Sequence, residues 1–234
     1  MKYTAIVLAA GKGSRMNSKV HKQYLMLAGK PVLAYSLEAF ERSAVDGIIL
    51  VTGENEESYC RTEIVEQYGL KKVTEIVAGG RERYHSVFEG LKAAAGSDYV
   101  LIHDGARPFV TEEMIQKTMQ AVREKSACIV GMPVKDTIKI SDCENHVLDT
   151  PRREYVWTIQ TPQAFSYELI YHAYEQILKR PDCQITDDAM AVEQICKVPV
   201  HLIEGSYQNI KITTPEDMLV AEALLRQRSG TGAL

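Results

Sequence analysis

The sequence predicts an α/β fold, a doubly wound, mostly parallel sheet that carries a β-hairpin arm. Three observations lead there. Short apolar runs alternate with amphipathic helical stretches from residue 3 to about residue 133, the rhythm of repeated βαβ units. The first run breaks into small residues and glycines, followed by a basic stretch. The rhythm then fails once, over residues 134 to 160, and resumes at Tyr167. A length of 234 residues suits one domain over 1–234 with an arm at about 134–160.

Taken in order, Tyr3-Thr4-Ala5-Ile6-Val7-Leu8 is a buried strand that breaks at Ala9-Ala10-Gly11. Pro31 to Phe40 has helical periodicity, with proline in the first turn. Gly47 to Thr52 is a second strand, and Glu56 to Tyr68 an amphipathic helix that Gly69 ends. Val73 to Val77, Asp98 to His103 and Ala127 to Met132 are further strands, with helices over Arg83–Ala95 and from Thr111 to about Lys125. Thr111 is the cap of the latter, and Glu112 and Glu113 suit its first turn. Beyond Pro133, Thr137–Ser141 and Val147–Thr150 flank a turn at Asp142-Cys143-Glu144-Asn145, which makes the hairpin arm. Helices Tyr167–Lys179 and Asp187–Cys196, a strand Val198–Ile203 and a helix starting at Thr214-Pro215 complete the chain.

Composition narrows the function. Hydrophobic residues make up 45% and charged residues 25%, ordinary values for a globular chain with a large core. A formal net charge of -4 argues against nucleic acid as the main partner, which needs a broad basic face. No run reaches membrane-spanning length, and the chain opens directly on a strand, so neither membrane partner nor leader peptide is expected. The five cysteines, Cys60, Cys128, Cys143, Cys183 and Cys196, show no Cys-x-x-Cys spacing. They read as reduced thiols of a cytoplasmic protein.

In open α/β sheets ligands bind at the carboxyl ends of strands. After the first strand, Gly11 and Gly13 free the backbone to approach a ligand, and Lys12, Arg15, Lys19 and Lys22 concentrate positive charge there. That combination suits a polyphosphate. The stretch is neither Gly-x-Gly-x-x-Gly nor a P-loop, and a plain tight turn is the competing reading. Gly79-Gly80-Arg81 leading to Ser86 either closes over a base or ribose or is an ordinary helix start. Asp104 and Arg107 follow a buried run and suit a site better than a structural ion pair. Lys211, in Asn209-Ile210-Lys211-Ile212-Thr213, reaches a phosphate or is a solvated edge lysine.

Ala9-Ala10-Gly11-x-Gly13-x-Arg15-Met16 with Lys22-Gln23 resembles the signature of sugar-phosphate nucleotidyltransferases. The ordered set Gly79-Gly80-x-x-Arg83-x-x-Ser86-Val87, His103-Asp104-x-Ala106-Arg107-Pro108, Pro133-Val134-x-Asp136-Thr137, Gln160-Thr161-Pro162-Gln163 and Asn209 to Asp217 looks like the 2-C-methyl-D-erythritol 4-phosphate cytidylyltransferase family of the non-mevalonate isoprenoid pathway. Two positions depart from the family pattern: His21 stands where proline usually precedes the lysine, and Gly105 where alanine is common. The resemblance implies a Rossmann-like nucleotidyltransferase fold and attack of a polyol phosphate oxygen on the α-phosphorus of CTP, with loss of pyrophosphate. Ribitol 5-phosphate cytidylyltransferase shares fold, loop and reaction and is the alternative. A non-catalytic nucleotide-binding protein is the rival of another class.

The same resemblance implies residue roles. Arg15, Lys22 and Lys211 are the catalytic cations. Ala9, Ala10, Gly11, Gly13, Gly80, Arg81 and Ser86 bind the nucleotide. Asp104, Arg107, Thr137, Arg153 and Thr161 bind the polyol phosphate. Mg²⁺ is the implied metal, with Asp104 as its carboxylate, and a homodimer with shared active sites is the implied assembly.

Overall fold

The computed structural model describes residues 1–11, 21–180 and 185–228. Gly13 and Arg15, with Lys12, Lys19 and Cys183, lie outside the described residues. The elements run β1 (Tyr3–Ala9), β2 (Met26–Leu27), β3 (Lys30–Pro31), α1 (Val32–Arg42), β4 (Gly47–Thr52) and α2 (Glu57–Tyr59), which continues as a π-helical run Cys60–Glu66. Then come β5 (Val73–Ala78), α3 (Arg83–Ala93), β6 (Tyr99–Asp104), α4 (Glu112–Lys125), β7 (Ala127–Pro133), β8 (Ile140–Ser141) and β9 (Val147–Asp149). The last are β10 (Trp157–Ser166), α5 (Tyr167–Ile177), α6 (Asp188–Ile195), β11 (His201–Glu204) and α7 (Pro215–Arg228).

Seven strands form the main sheet in the order β11-β7-β10-β6-β1-β4-β5. Neighbours pair in parallel except at β10, which runs antiparallel to both β6 and β7. Side chains of a strand alternate between its faces, and the sequence uses that alternation to feed two cores. Ala5 and Val7, Ile48 and Leu50, and Leu101 pack on one face with Leu33, Leu37 and Phe40 of α1, Ile64, and Ile115 and Val122 of α4. Ile6, Ile49 and Val51, and Val100 and Ile102 pack on the other with Val87 and Leu91 of α3, Ile170 and Tyr174 of α5, and Val192 of α6. Helices on both faces of a mostly parallel sheet make the doubly wound arrangement expected from the sequence. A small third cluster, Leu27, Val32, Phe109, Ile212 and Ala221, seats α7.

Two local differences stand out. No strand is expected from the sequence between residues 150 and 167, yet β10 lies there, inside the sheet and ten residues long. Its residues 157–160 overlap the end of the expected arm, so the hairpin β8–β9 leads directly back into the sheet. Gln160, Thr161 and Gln163 are buried there, so the strand lacks the apolar run that marks its neighbours. The helix after β4 is α-helical only at its start. Gly69 closes it with a φ of 62°, as expected.

Candidate active site

The carboxyl ends of β1, β4, β5 and β6 open into a cleft of about 930 Å³. Its first wall is Ala9-Ala10-Gly11, where β1 ends, and Lys22 and Gln23 of the following one-turn 3-10 helix. That turn is fastened to the strand by the buried Gln23 amide, which donates to the Ala9 carbonyl. The second wall is Gly79 to Arg83, with Ser86. A Cβ at Gly79 would stand 2.6 Å from both the Ala10 Cβ and the Ser86 Oγ, so only glycine lets these walls approach. The Gly80 N–H donates to the Ser86 hydroxyl at 3.1 Å. Thus Ala9, Ala10, Gly11, Gly80, Arg81 and Ser86 line one cleft with Lys22, Asp104 and Lys211.

The floor is an ion cluster built on β6. Asp104 Oδ2 meets Lys211 Nζ at 2.8 Å, Asp104 Oδ1 meets Arg83 Nε at 3.3 Å, and Arg107 Nε stands 3.9 Å from Oδ2. Burial opposes ionisation of Asp104, but Arg83, Lys211 and Arg107 outweigh it and hold the carboxyl far below the usual carboxylate range. Lys211 arrives on a segment pinned from two sides. The Asn209 amide donates to Gln160 Oε1 and to the Thr161 carbonyl, and the Ile212 N–H donates to the Ala106 carbonyl at 2.8 Å. Arg107 serves the same brace, its terminal nitrogens donating to the carbonyls of Asn209 and Ile159.

Thr161 lies behind Asp104, buried, and does not line the cleft. Its oxygen accepts the Asp104 N–H at 3.1 Å and pairs with His103 Nδ1 at 2.9 Å. His103 Nε2 faces the Arg107 carbonyl at 3.3 Å. The carbonyl can only accept, so the arrangement assigns the ring proton to Nε2 and leaves Nδ1 to accept the Thr161 hydroxyl. Burial pushes the His103 pKa down to about 4, in keeping with a neutral ring. Thr137 and Arg153 stand apart: both are exposed, on the arm, and Arg153 donates to the Lys135 carbonyl at 3.0 Å.

Glycine walls over a cationic floor, at the strand ends of a doubly wound sheet, suit a nucleotide and a second anion. The family model described as 2-C-methyl-D-erythritol 4-phosphate cytidylyltransferase matches residues 3–227. The chain belongs to that family. A 2-C-methyl-D-erythritol 4-phosphate cytidylyltransferase of Lachnoclostridium phytofermentans is 54% identical over 226 residues, covering 97% of each chain. One of Alkaliphilus oremlandii is 46% identical over 229 residues, covering 97% of this chain and 96% of its own. The crystal structure of 4-diphosphocytidyl-2C-methyl-D-erythritol synthase from Anaerococcus prevotii superposes with a TM-score of 0.85 at 41% identity, covering 96% of both chains.

The two departures from this cytidylyltransferase family's pattern both have local partners. His21 Nδ1 meets Glu56 Oε1 at 2.6 Å beside the nucleotide wall, and Glu56 also accepts the Tyr24 hydroxyl at 2.8 Å. A Cβ at Gly105 would stand 2.6 Å from Leu33 Cδ1 and 2.9 Å from the Leu8 carbonyl oxygen, so in this chain the position is filled by its neighbours. Arg83 has no role assigned from the sequence, though it sits in the Gly79–Val87 motif. Its partners, Asp104 and Asp188, are 21 and 105 residues away, beyond the reach of any spacing argument. Among the described residues no group of three or more His, Cys, Asp and Glu side chains could hold a metal ion. No helix among them is long and apolar enough to cross a membrane.

Proposed function

We propose that this chain transfers the cytidylyl group of CTP to 2-C-methyl-D-erythritol 4-phosphate, giving 4-diphosphocytidyl-2-C-methyl-D-erythritol and pyrophosphate. Beside the family membership, the observation that carries the reading is the Lys211–Asp104–Arg83 cluster on the floor of the glycine-walled cleft. The nucleophile, a phosphate oxygen, is already ionised near neutral pH, so no strong base is needed. The difficulty is bringing two anions together and letting pyrophosphate leave. Positioned cations answer both demands.

In this reading Ala9, Ala10, Gly11, Gly13, Gly80, Arg81 and Ser86 hold the nucleotide through backbone and short polar groups. Arg15 and Lys22 carry the triphosphate, and Lys211 stands between the α-phosphate and the incoming phosphate. Asp104, held ionised, accepts hydroxyls of the polyol, while Arg107 and Thr161 keep it in place from behind. A divalent cation, Mg²⁺ on the hardness of its phosphate oxygen partners, would supply further charge neutralisation on the triphosphate. Asp104, at the floor of the cleft, would be its carboxylate once substrate loosens the ion cluster, since one protein ligand suffices when phosphate and water provide the rest. Thr137 and Arg153 complete the acceptor site of a second copy, in a homodimer joined through the arm. Free Cys60, Cys128, Cys143 and Cys196 suit work in the cytoplasm.

Pyrophosphate release from CTP tests this directly, with methylerythritol phosphate and ribitol phosphate as acceptors and ATP as the competing donor. Higher kcat/KM with CTP and methylerythritol phosphate is the expected result. Preference for ribitol phosphate would move the chain to the other acceptor, and no release with either would leave a nucleotide-binding protein.

A further inference from the structure

Beneath the floor lies a carboxylate that the chemistry above does not use. Asp188 is 0% exposed and does not line the cleft. It sits in the first turn of α6, where Gln163 Oε1 accepts the N–H groups of Asp188 and Ala189. Its side chain binds Arg83 end-on, accepting from Nη1 at Oδ1 and from Nη2 at Oδ2, both at 2.8 Å. The buried Tyr174 hydroxyl donates to Oδ1 as well. Such two-point pairing fixes a guanidinium in orientation as well as in place. With its terminal nitrogens turned to Asp188, Arg83 reaches Asp104 through Nε alone, which meets Oδ1 at 3.3 Å. The other oxygen, Oδ2, remains with Lys211.

We propose that Asp188 is a positioning residue that holds Arg83 away from full engagement with Asp104 and so reserves Asp104 for Lys211 and the acceptor substrate. Without the Asp188 carboxylate, the two terminal nitrogens of Arg83 lose their fixed partner beside an ionised Asp104. The guanidinium then turns onto Asp104 with two donors. It displaces Lys211 and fills the lone pairs that the polyol would use. Asp188 thus acts on the floor through Arg83. This inference rests on the reading of Asp104 and Lys211 as groups that meet the acceptor.

Three full-length variants test it: Asp188→Asn, Arg83→Gln, and the two together, with Asp104→Asn as a check on the underlying reading. Asp188→Asn is expected to lower kcat/KM for methylerythritol phosphate on the order of a hundredfold, the scale of a misplaced substrate-binding group, and to leave CTP binding by calorimetry where it was. The double variant is expected to match Arg83→Gln, because no guanidinium is left to orient. That comparison stands even if Asp188→Asn alone fails to fold. The proposal is overturned by a double variant that falls below Arg83→Gln, by Asp188→Asn with wild-type acceptor kinetics, or by an equal loss of CTP binding, which marks a general structural role. Asp104→Asn with unchanged acceptor kinetics would instead remove the reading of Asp104 while leaving the Asp188–Arg83 coupling to be read from the cycle.

Discussion

The end of β6 and the hairpin arm are opposites. From His103 to Arg107 the side chains are buried or nearly so and tied across long stretches of chain, to Arg83, Thr161, Asn209 and Lys211. In the arm the ties are local: Asp142 accepts the N–H groups of Glu144 and His146, and Lys139 reaches Thr150. Its apolar side chains face outward, with Val147 59%, Leu148 66% and Tyr155 71% exposed. A region that braces itself presents one geometry whatever surrounds it. A region that exposes apolar side chains in this concentration is suited to cover by a partner. The ion-cluster floor is braced within this chain, whereas the arm leaves its apolar side chains open to solvent.

The largest effect should come from the cleft side. Lys22→Ala is expected to lower turnover by about a hundredfold to a thousandfold, as loss of a positioned charge does, with the thermal unfolding midpoint nearly unchanged. Near-normal turnover would take Lys22 out of the chemistry. The arm is probed by mixing Lys22→Ala with Arg153→Ala chains, each expected to be nearly inactive alone. If the arm serves a partner, random exchange restores roughly a quarter of wild-type activity, because half the dimers gain one whole site. No recovery after confirmed exchange would return Arg153 to its own chain.

A smaller effect separates the two regions by pH. His103 is neutral and buried, with its pKa lowered from 6.5 to about 4. The unfolded chain therefore binds this proton where the folded chain does not, so the contribution is complete above pH 6.5 and is lost as pH falls toward 4. The loss amounts to about 3 kcal/mol at most, and chemical denaturation of His103→Gln against wild type across that window should show its pH slope reduced. Smaller again, Gly105→Ala is expected to cost about 1–3 kcal/mol through overpacking against Leu33 and the Leu8 carbonyl, read as a lowered denaturation midpoint. Leu148→Lys, on the exposed arm, should change the stability of the isolated chain by less than about 0.5 kcal/mol while lowering self-association in sedimentation.

What could be read in advance follows the same division. Strands β1, β4, β6 and β7 are apolar runs, and Thr111 does accept the Met114 N–H as the cap of α4. The glycine walls and Asp104 were legible because strand-end position and residue type point to them together. β10 was not, since a proline and three buried polar residues interrupt it, and such a run is ordinarily demoted. Lys211 could be named but not placed, for its bond to Asp104 depends on Asn209 gripping Gln160 and Thr161. Asp188 carried no signal at all. A buried carboxylate and a solvated one look alike in a sequence until the arginine opposite is known.

β10 also joins the two regions with one piece of backbone. It leaves the arm at Trp157, crosses the sheet between β6 and β7, and delivers Thr161 to the back of Asp104 on the way. Side chains on a strand change face at every residue. An added residue at the hairpin tip, near Asn145, would lengthen the arm and leave the pocket alone. The same addition between Trp157 and Gln160 would fall beside the register shift that β10 already makes against β7 between Ile159 and Gln163, and would turn Thr161 away from His103 unless that irregularity absorbed it. Natural variation in this chain's length is therefore expected to collect at the tip and to stop abruptly at Trp157, a boundary set by the phase of a strand and not by distance from the substrate.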